Sequence, residues 1–223
     1  RVVRPCIHRH VAVSEGVARR WREALGVPAS RIRVVPNAVR ALPPRSRDAR
    51  PPEGWPTVPA GVPVLLTVAR LDAQKGHATL LEALAALPQA HLVLAGDGPL
   101  RGPLEDQARA LGVSARVTFL GEREDARTLP AWADLVVLPS INEGLPLALL
   151  EALHAGRPVV ASAIEGIVDV MTDGVTGRLV RPGDARALAA AMAGLLAAPA
   201  EATRLGAAGR ARAEAHASVP AVA

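Results

Sequence analysis

Residues 134–161 read Asp-Leu-Val-Val-Leu-Pro-Ser-Ile-Asn-Glu-Gly-Leu-Pro-Leu-Ala-Leu-Leu-Glu-Ala-Leu-His-Ala-Gly-Arg-Pro-Val-Val-Ala. Leu135 to Leu138 is an apolar run of buried-strand length, and Pro139 stops it. Pro146 suits the first turn of a helix, where its missing N–H costs nothing. Gly156 ends that helix, and Val159–Ala161 reads as the next buried strand. The unit is strand–loop–helix–strand of the parallel kind. Its loop therefore leaves the carboxyl edge of a sheet, where open α/β sheets bind ligands. Two carboxylates bracket the loop, Glu143 before the helix and Glu151 inside it. Free N–H groups near Gly144 and Leu145, with the positive end of the helix dipole, suit an anion or hydroxyl.

Working outward, Val64–Ala69 reads as a buried strand and Arg70–Gly76 as its carboxyl-edge loop. His77–Leu87 is an amphipathic helix, His91–Ala95 a strand, and a further helix ends near Leu111. Arg116–Leu120 is a strand, followed by a short helical piece broken by Pro130. Beyond the central unit come a tight loop at Glu165–Asp169, a strand at Thr176–Val180, a helix at Asp184–Ala197 and a last helix over 200–216. Upstream, His10–Val13 is a short strand. Ser14 is the N-cap of a helix over Glu15–Leu25, closed by Gly26. Val17, Trp21, Ala24 and Leu25 form its apolar stripe, and Ile32–Val35 is a second strand. The Pro-rich stretch 43–63 reads as a linker. The expected division is 1–42, 43–63, 64–199 and 200–223.

The bracketed carboxylates carry a resemblance. Glu143-Gly-Leu-Pro-Leu-Ala-Leu-Leu-Glu151 is an E-x7-E motif, preceded by Pro139-Ser140 and followed by Gly156-Arg-Pro-Val-Val-Ala161. In this setting it resembles the donor half of the retaining glycosyltransferases of family 4, the "glycosyl transferases group 1" domain. The resemblance implies an α/β chain of GT-B type, a doubly wound Rossmann-like parallel sheet, with only the end of the first Rossmann-like domain present. His10–Val39, with Pro36-Asn37-Ala38-Val39, resembles the last β–α–β unit of that first domain, Ala38 standing where Gly is usual. The chain is then expected to be a fragment that binds donor but transfers nothing alone. Val11, Val13, Val17, Trp21 and Val34 would be partly exposed or packed on the second domain.

The same resemblance implies transfer of a sugar from a nucleotide diphosphate sugar, with retention at the anomeric carbon. Arg70 and Lys75 would hold the donor diphosphate. Cations suit this task because breaking a sugar–phosphate bond leaves negative charge on the diphosphate. Glu143 would contact a donor-sugar hydroxyl and Glu151 the nucleotide ribose, with Gly144, Leu145 and Pro146 forming the loop against the donor. A carboxylate suits paired hydroxyls because it only accepts. The leaving phosphate would take the acceptor's proton. No metal or other cofactor is implied; the nucleotide sugar is a co-substrate. Glu165-Gly-Ile-Val-Asp169 departs from the family's usual Gly-Gly-Ile-Pro-Glu and puts an acid near the expected diphosphate. Gly121–Arg123 would lie near the base by position. The acceptor, whether sugar, lipid or small molecule, is unreadable.

Other classes would rest on other residues. Gly96-Asp-Gly-Pro-Leu-Arg-Gly102 approximates a dinucleotide fingerprint, but Asp97 would repel a pyrophosphate, and the motif follows the wrong strand. A non-catalytic sugar-nucleotide module and an epimerase of related fold remain alternatives. His154 reads as a packed helix histidine. Residues 1–50 hold 12 Arg against Glu15, Glu23 and Asp48. Charge of that kind gives only salt-sensitive, sequence-independent attraction, so no specific nucleic-acid partner is expected. Three Trp, one Phe and no Tyr leave little for base stacking. Cys6 is the single cysteine, which excludes a disulfide framework. With no signal-peptide pattern and no spanning run, the expected location is cytoplasmic. Peripheral contact with the inner face of the membrane, through a missing N-terminal domain, stays open.

Overall fold

Runs of Val and Leu too short for helices alternate here with longer amphipathic stretches, and that alternation dictates a parallel sheet covered on both faces. The computed structural model describes residues 9–39 and 49–217. Strands β3 (Val64–Val68), β4 (His91–Ala95), β5 (Val117–Gly121), β6 (Leu135–Leu138), β7 (Val159–Ser162) and β8 (Arg178–Val180) form one six-stranded sheet in the order β5-β4-β3-β6-β7-β8. Every pairing in it is parallel. The chain builds outward from β3 to β5, then returns to place β6 beside β3. The strand order therefore reverses between β3 and β6, which opens a crevice above their carboxyl ends.

Alternate residues of each strand feed two cores. On one face Leu66, Val136, Leu138 and Val159 pack with Leu149, Leu150 and Leu153 of α4 (Leu147–His154) and with Ala213 of α7 (Pro199–Ala217). On the other, Leu65, Leu92, Val137 and Val160 pack with α2 (His77–Ala85), α3 (Arg101–Ala110) and α6 (Ala185–Ala197). Thr67 is buried in β3, and its hydroxyl donates to the Val137 carbonyl at 2.8 Å, tying β3 to β6 next to the crevice.

Upstream, β1 (His10–Ala12), α1 (Glu15–Leu25) and β2 (Ile32–Val34) form a β–α–β unit with its own two-stranded parallel sheet. Val11 is 58 % exposed, whereas Val13, Val17, Trp21 and Val34 are half-buried, and Val13 packs on the core of the larger sheet.

Four expectations need correction. The stretch expected as a tight loop at Glu165–Asp169 is a single helical turn, α5 (Glu165–Val168), with Asp169 as its C-cap. Pro146 is the N-cap of α4 and not a residue of its first turn; its ψ of 130° is extended, and the helix begins at Leu147. β8 starts at Arg178, because Thr176 Oγ1 is engaged with the backbone of Thr172. Arg116 precedes β5 in a 3-10 turn, from which its guanidinium donates to the Leu87 and Ala90 carbonyls. The expected tail beyond 217, Cys6 and part of the expected linker (43–48) lie outside the described residues.

Candidate active site

The loops that leave β3 and β6 meet above the strand-order reversal. After β3, Asp72 caps a 3-10 turn, Ala73–Lys75, by accepting the Gln74 N–H at 3.0 Å. Gly76 then closes the turn at φ 69°, a left-handed conformation that costs a side-chain-bearing residue but not glycine. A Cβ there would also fall on the Pro139 carbonyl, so the two loops lie in contact at this point. The Ile141 N–H donates to the Gln74 carbonyl at 2.7 Å and locks them together.

This seating brings Lys75 and Glu143 into a direct ion pair. Their side chains are 22 % and 13 % exposed, so the pair is shielded yet open to a ligand. The Ser140 hydroxyl donates to the same Glu143 oxygen at 3.0 Å. An ammonium has three donors. Lys75 can therefore hold Glu143 and still donate to an anion.

Arg70, in the same loop as Lys75, lines a cleft of about 570 Å³ with Gly96, Asp97, Gly98, Glu122 and Arg123, and neither Lys75 nor Glu143 is among the residues that line it. The Arg70 side chain is exposed and makes no hydrogen bond or ion pair among the described residues. Across the cleft, Arg123 is gripped by both oxygens of Asp125, at 2.6 and 2.8 Å, and donates to the Glu53 carbonyl at 2.7 Å. The Arg123 guanidinium holds the Asp125 carboxyl below its usual range. The Asp97 carboxylate accepts the Gly98 N–H at 2.7 Å, an internal turn contact.

Glu151, the second carboxylate of the motif, is buried in α4. Burial pushes its carboxyl above the usual range, and the Arg127 guanidinium at 3.3 Å offsets that only in part. Sequence reasoning missed Arg127. It lies in the 3-10 stretch Ala126–Trp132, which lacks the periodicity that would put it on a recognisable face.

The expected donor loop, Gly144 to Pro146, leads directly into α4. Leu145 is buried, and its carbonyl accepts the Asn37 side-chain amide at 2.7 Å. The β–α–β unit thus clamps this loop. The same unit takes up both departures from the family pattern. Glu165 pairs with Arg20 at 3.1 Å, and Asp169 accepts the Gly16 N–H at 2.8 Å. Glu165 is therefore neutralised by a partner and is not a bare acid facing the cleft. The structure brings Lys75, Glu143 and Ser140 together, places Arg70 in a cleft that these three do not line, and sets Glu151 against Arg127. His154 is buried with neither ring nitrogen hydrogen-bonded among the described residues.

Among the described residues, no three His, Cys, Asp or Glu are grouped to hold a metal ion, and no helix is long and apolar enough to cross a membrane.

Over 147 residues the chain is 41 % identical to the lipopolysaccharide core biosynthesis glycosyltransferase LpsE of Rhizobium meliloti, covering 66 % of this chain and 43 % of that one. Over 166 residues it is 40 % identical to a D-inositol 3-phosphate glycosyltransferase of Mycolicibacterium paratuberculosis, covering 71 % of this chain and 37 % of the relative. The chain thus spans about two fifths of the length of these curated relatives. The fold superposes on Anabaena HepE, solved in complex with UDP and glucose, with a TM-score of 0.81 and 25 % identity over 95 % of this chain and 59 % of that one. The sequence profile described as "Glycosyl transferases group 1" matches residues 56–212. The chain, an α/β structure of GT-B type, belongs to the glycosyl transferases group 1 family.

Proposed function

We propose that this chain is the donor side of a glycosyltransferase that takes a sugar from a nucleotide diphosphate sugar, with retention at the anomeric carbon. The observation that carries the reading is the Lys75–Glu143 pair at the reversal of strand order, in the loop that also presents the exposed side chain of Arg70 to a cleft. A cation for a diphosphate and an acceptor for a sugar hydroxyl stand side by side in that pair. The UDP and glucose bound to HepE, whose fold is shared, support a uridine or related diphosphate donor.

In this reading the bond between the anomeric carbon and the diphosphate oxygen breaks, and its electron pair leaves with the nucleoside diphosphate. Arg70 and Lys75 stabilise that charge, and the shielding of Lys75 strengthens the effect. Glu143 accepts from a donor-sugar hydroxyl and keeps Lys75 oriented. Glu151 accepts from the ribose hydroxyls. The new bond forms to the acceptor oxygen, whose proton passes to the leaving phosphate. No metal is required, since the two side-chain cations supply the positive charge. The acceptor is held by protein beyond the described residues, and the 223-residue chain alone transfers no sugar. Holding the acceptor in near-attack geometry supplies much of the rate.

The test has two arms. Calorimetric titration of the chain with UDP, GDP and UDP-glucose should detect binding of at least one. A transfer assay should give no product with the chain alone, and product once a first domain from a full-length relative is joined to it. Failure of all three ligands to bind would refute the donor reading.

A further inference from the structure

His77 opens α2 directly after the Lys75–Gly76 turn, and it is 2 % exposed. Its Nε2 lies 3.0 Å from the carbonyl oxygen of Arg70. A carbonyl only accepts, so Nε2 carries the proton and Nδ1 is the bare nitrogen. That Nδ1 is buried and has no hydrogen-bond partner among the described residues. A leucine or phenylalanine would fill the same space without an orphaned acceptor. The polar ring is thus held at a cost, and the contact it makes in return is the one to Arg70.

The contact falls at the base of the loop that follows β3. The Arg70 peptide stands where β3 ends and the cleft begins. From one side the loop is held by Ala69 N–H to the Ala95 carbonyl and Leu71 N–H to the Asp97 carbonyl, each at 3.0 Å. The Arg70 carbonyl accepts the Asp72 N–H at 2.9 Å from within its own turn, and His77 from the helix behind it. These bonds fix the peptide, while the guanidinium makes no hydrogen bond or ion pair among the described residues. A side chain projecting from a fixed peptide gives up less freedom on binding than one on a mobile loop.

We propose that His77 is a positioning residue for Arg70: its Nε2–H fixes the backbone from which Arg70 reaches the donor diphosphate. This rests on the diphosphate role given to Arg70 above. His77 touches no ligand itself. Burial holds the imidazole below its ordinary pKa, with Lys75 adding to the effect and the Arg70 carbonyl and Asp72 opposing it. The ring therefore stays neutral and keeps its single donor across the neutral range.

The test compares UDP and uridine on the 223-residue chain by calorimetry. His77→Phe keeps the ring volume and removes the donor. Its UDP affinity should fall about ten-fold, the equivalent of about 1.4 kcal/mol, while uridine affinity stays at the wild-type value. His77→Gln, whose amide nitrogen can occupy the Nε2 position, should restore UDP binding. In an Arg70→Ala background, His77→Phe should have no further effect, since the two act as one unit. A folded His77→Phe that binds UDP like wild type, or that loses uridine equally, would overturn the proposal. Wild-type UDP affinity in Arg70→Ala would instead sink the diphosphate role of Arg70, and this inference with it. Should His77→Phe not fold, nitrogen NMR of the wild-type imidazole decides. A proton on Nε2 whose signal shifts with UDP and not with uridine supports the proposal, and a proton on Nδ1 overturns it.

Discussion

The carboxylate of Asp169 accepts the backbone N–H of Gly16 at 2.8 Å, joining residues 153 apart in the sequence. The first N–H groups of a helix have no partner inside it. In α1 Ser14 Oγ accepts from Val17 at 3.2 Å, and Asp169 accepts from Gly16. A carboxylate there also faces the positive end of the helix dipole. One turn away, Arg20 reaches Glu165 at 3.1 Å and Asn142 at 2.9 Å. Together these contacts seat the β–α–β unit on α5 and on the donor loop. Asp169→Ala should cost about 1–2 kcal/mol, the scale of a lost helix cap, and should speed hydrogen exchange over residues 9–35. Unchanged exchange there would show that the contact does not hold the unit.

Gly16→Ala should also destabilise, against the usual rule. Alanine in place of glycine in a helix normally gains about 1 kcal/mol. Here the added Cβ would come 2.7 Å from the Glu165 Cβ, so α1 and α5 would have to separate. Urea unfolding should show a lower midpoint for the variant. A higher midpoint would mean that propensity outweighs the close approach.

Glu151 gives a pH-dependent expectation. Its folded carboxyl lies above the ordinary value through burial, with Arg127 pulling the other way. The folded state then binds this proton more tightly than the unfolded state. Stability falls as pH rises from the unfolded value through the folded one. Glu151→Gln should therefore raise Tm near neutral pH, with the gain shrinking on acidification, and should weaken nucleotide binding. A pH-independent difference in Tm would contradict this.

Much of the fold was legible in residues 134–161 and in the flanks of single elements. The bounds of α1 follow from Ser14 and from Gly26, which adopts φ 62° after the last turn. The bounds of β6 follow from Asp134 and Pro139. Residues 165–169 misled because one turn is too short to show a period, and its shape is set by docking against α1. Lys75 and Glu143 were readable one at a time. Their contact depends on β3 and β6 being neighbours, a property of the sheet and not of either motif. Arg127 and His77 left no signal, since an ion pair from a 3-10 stretch and a bond from a ring to a carbonyl have no fixed spacing.

The role of Lys75 in holding the donor diphosphate is tested most directly by titrating UDP and uridine into the wild-type chain and into Lys75→Ala. Loss of a hydrogen bond to a charged group is worth about 1.5–3 kcal/mol. UDP affinity should fall roughly ten- to hundred-fold, while uridine affinity, which involves no phosphate, stays unchanged. Equal UDP affinity for wild type and a folded Lys75→Ala would contradict the assignment of this crevice to a nucleotide diphosphate sugar.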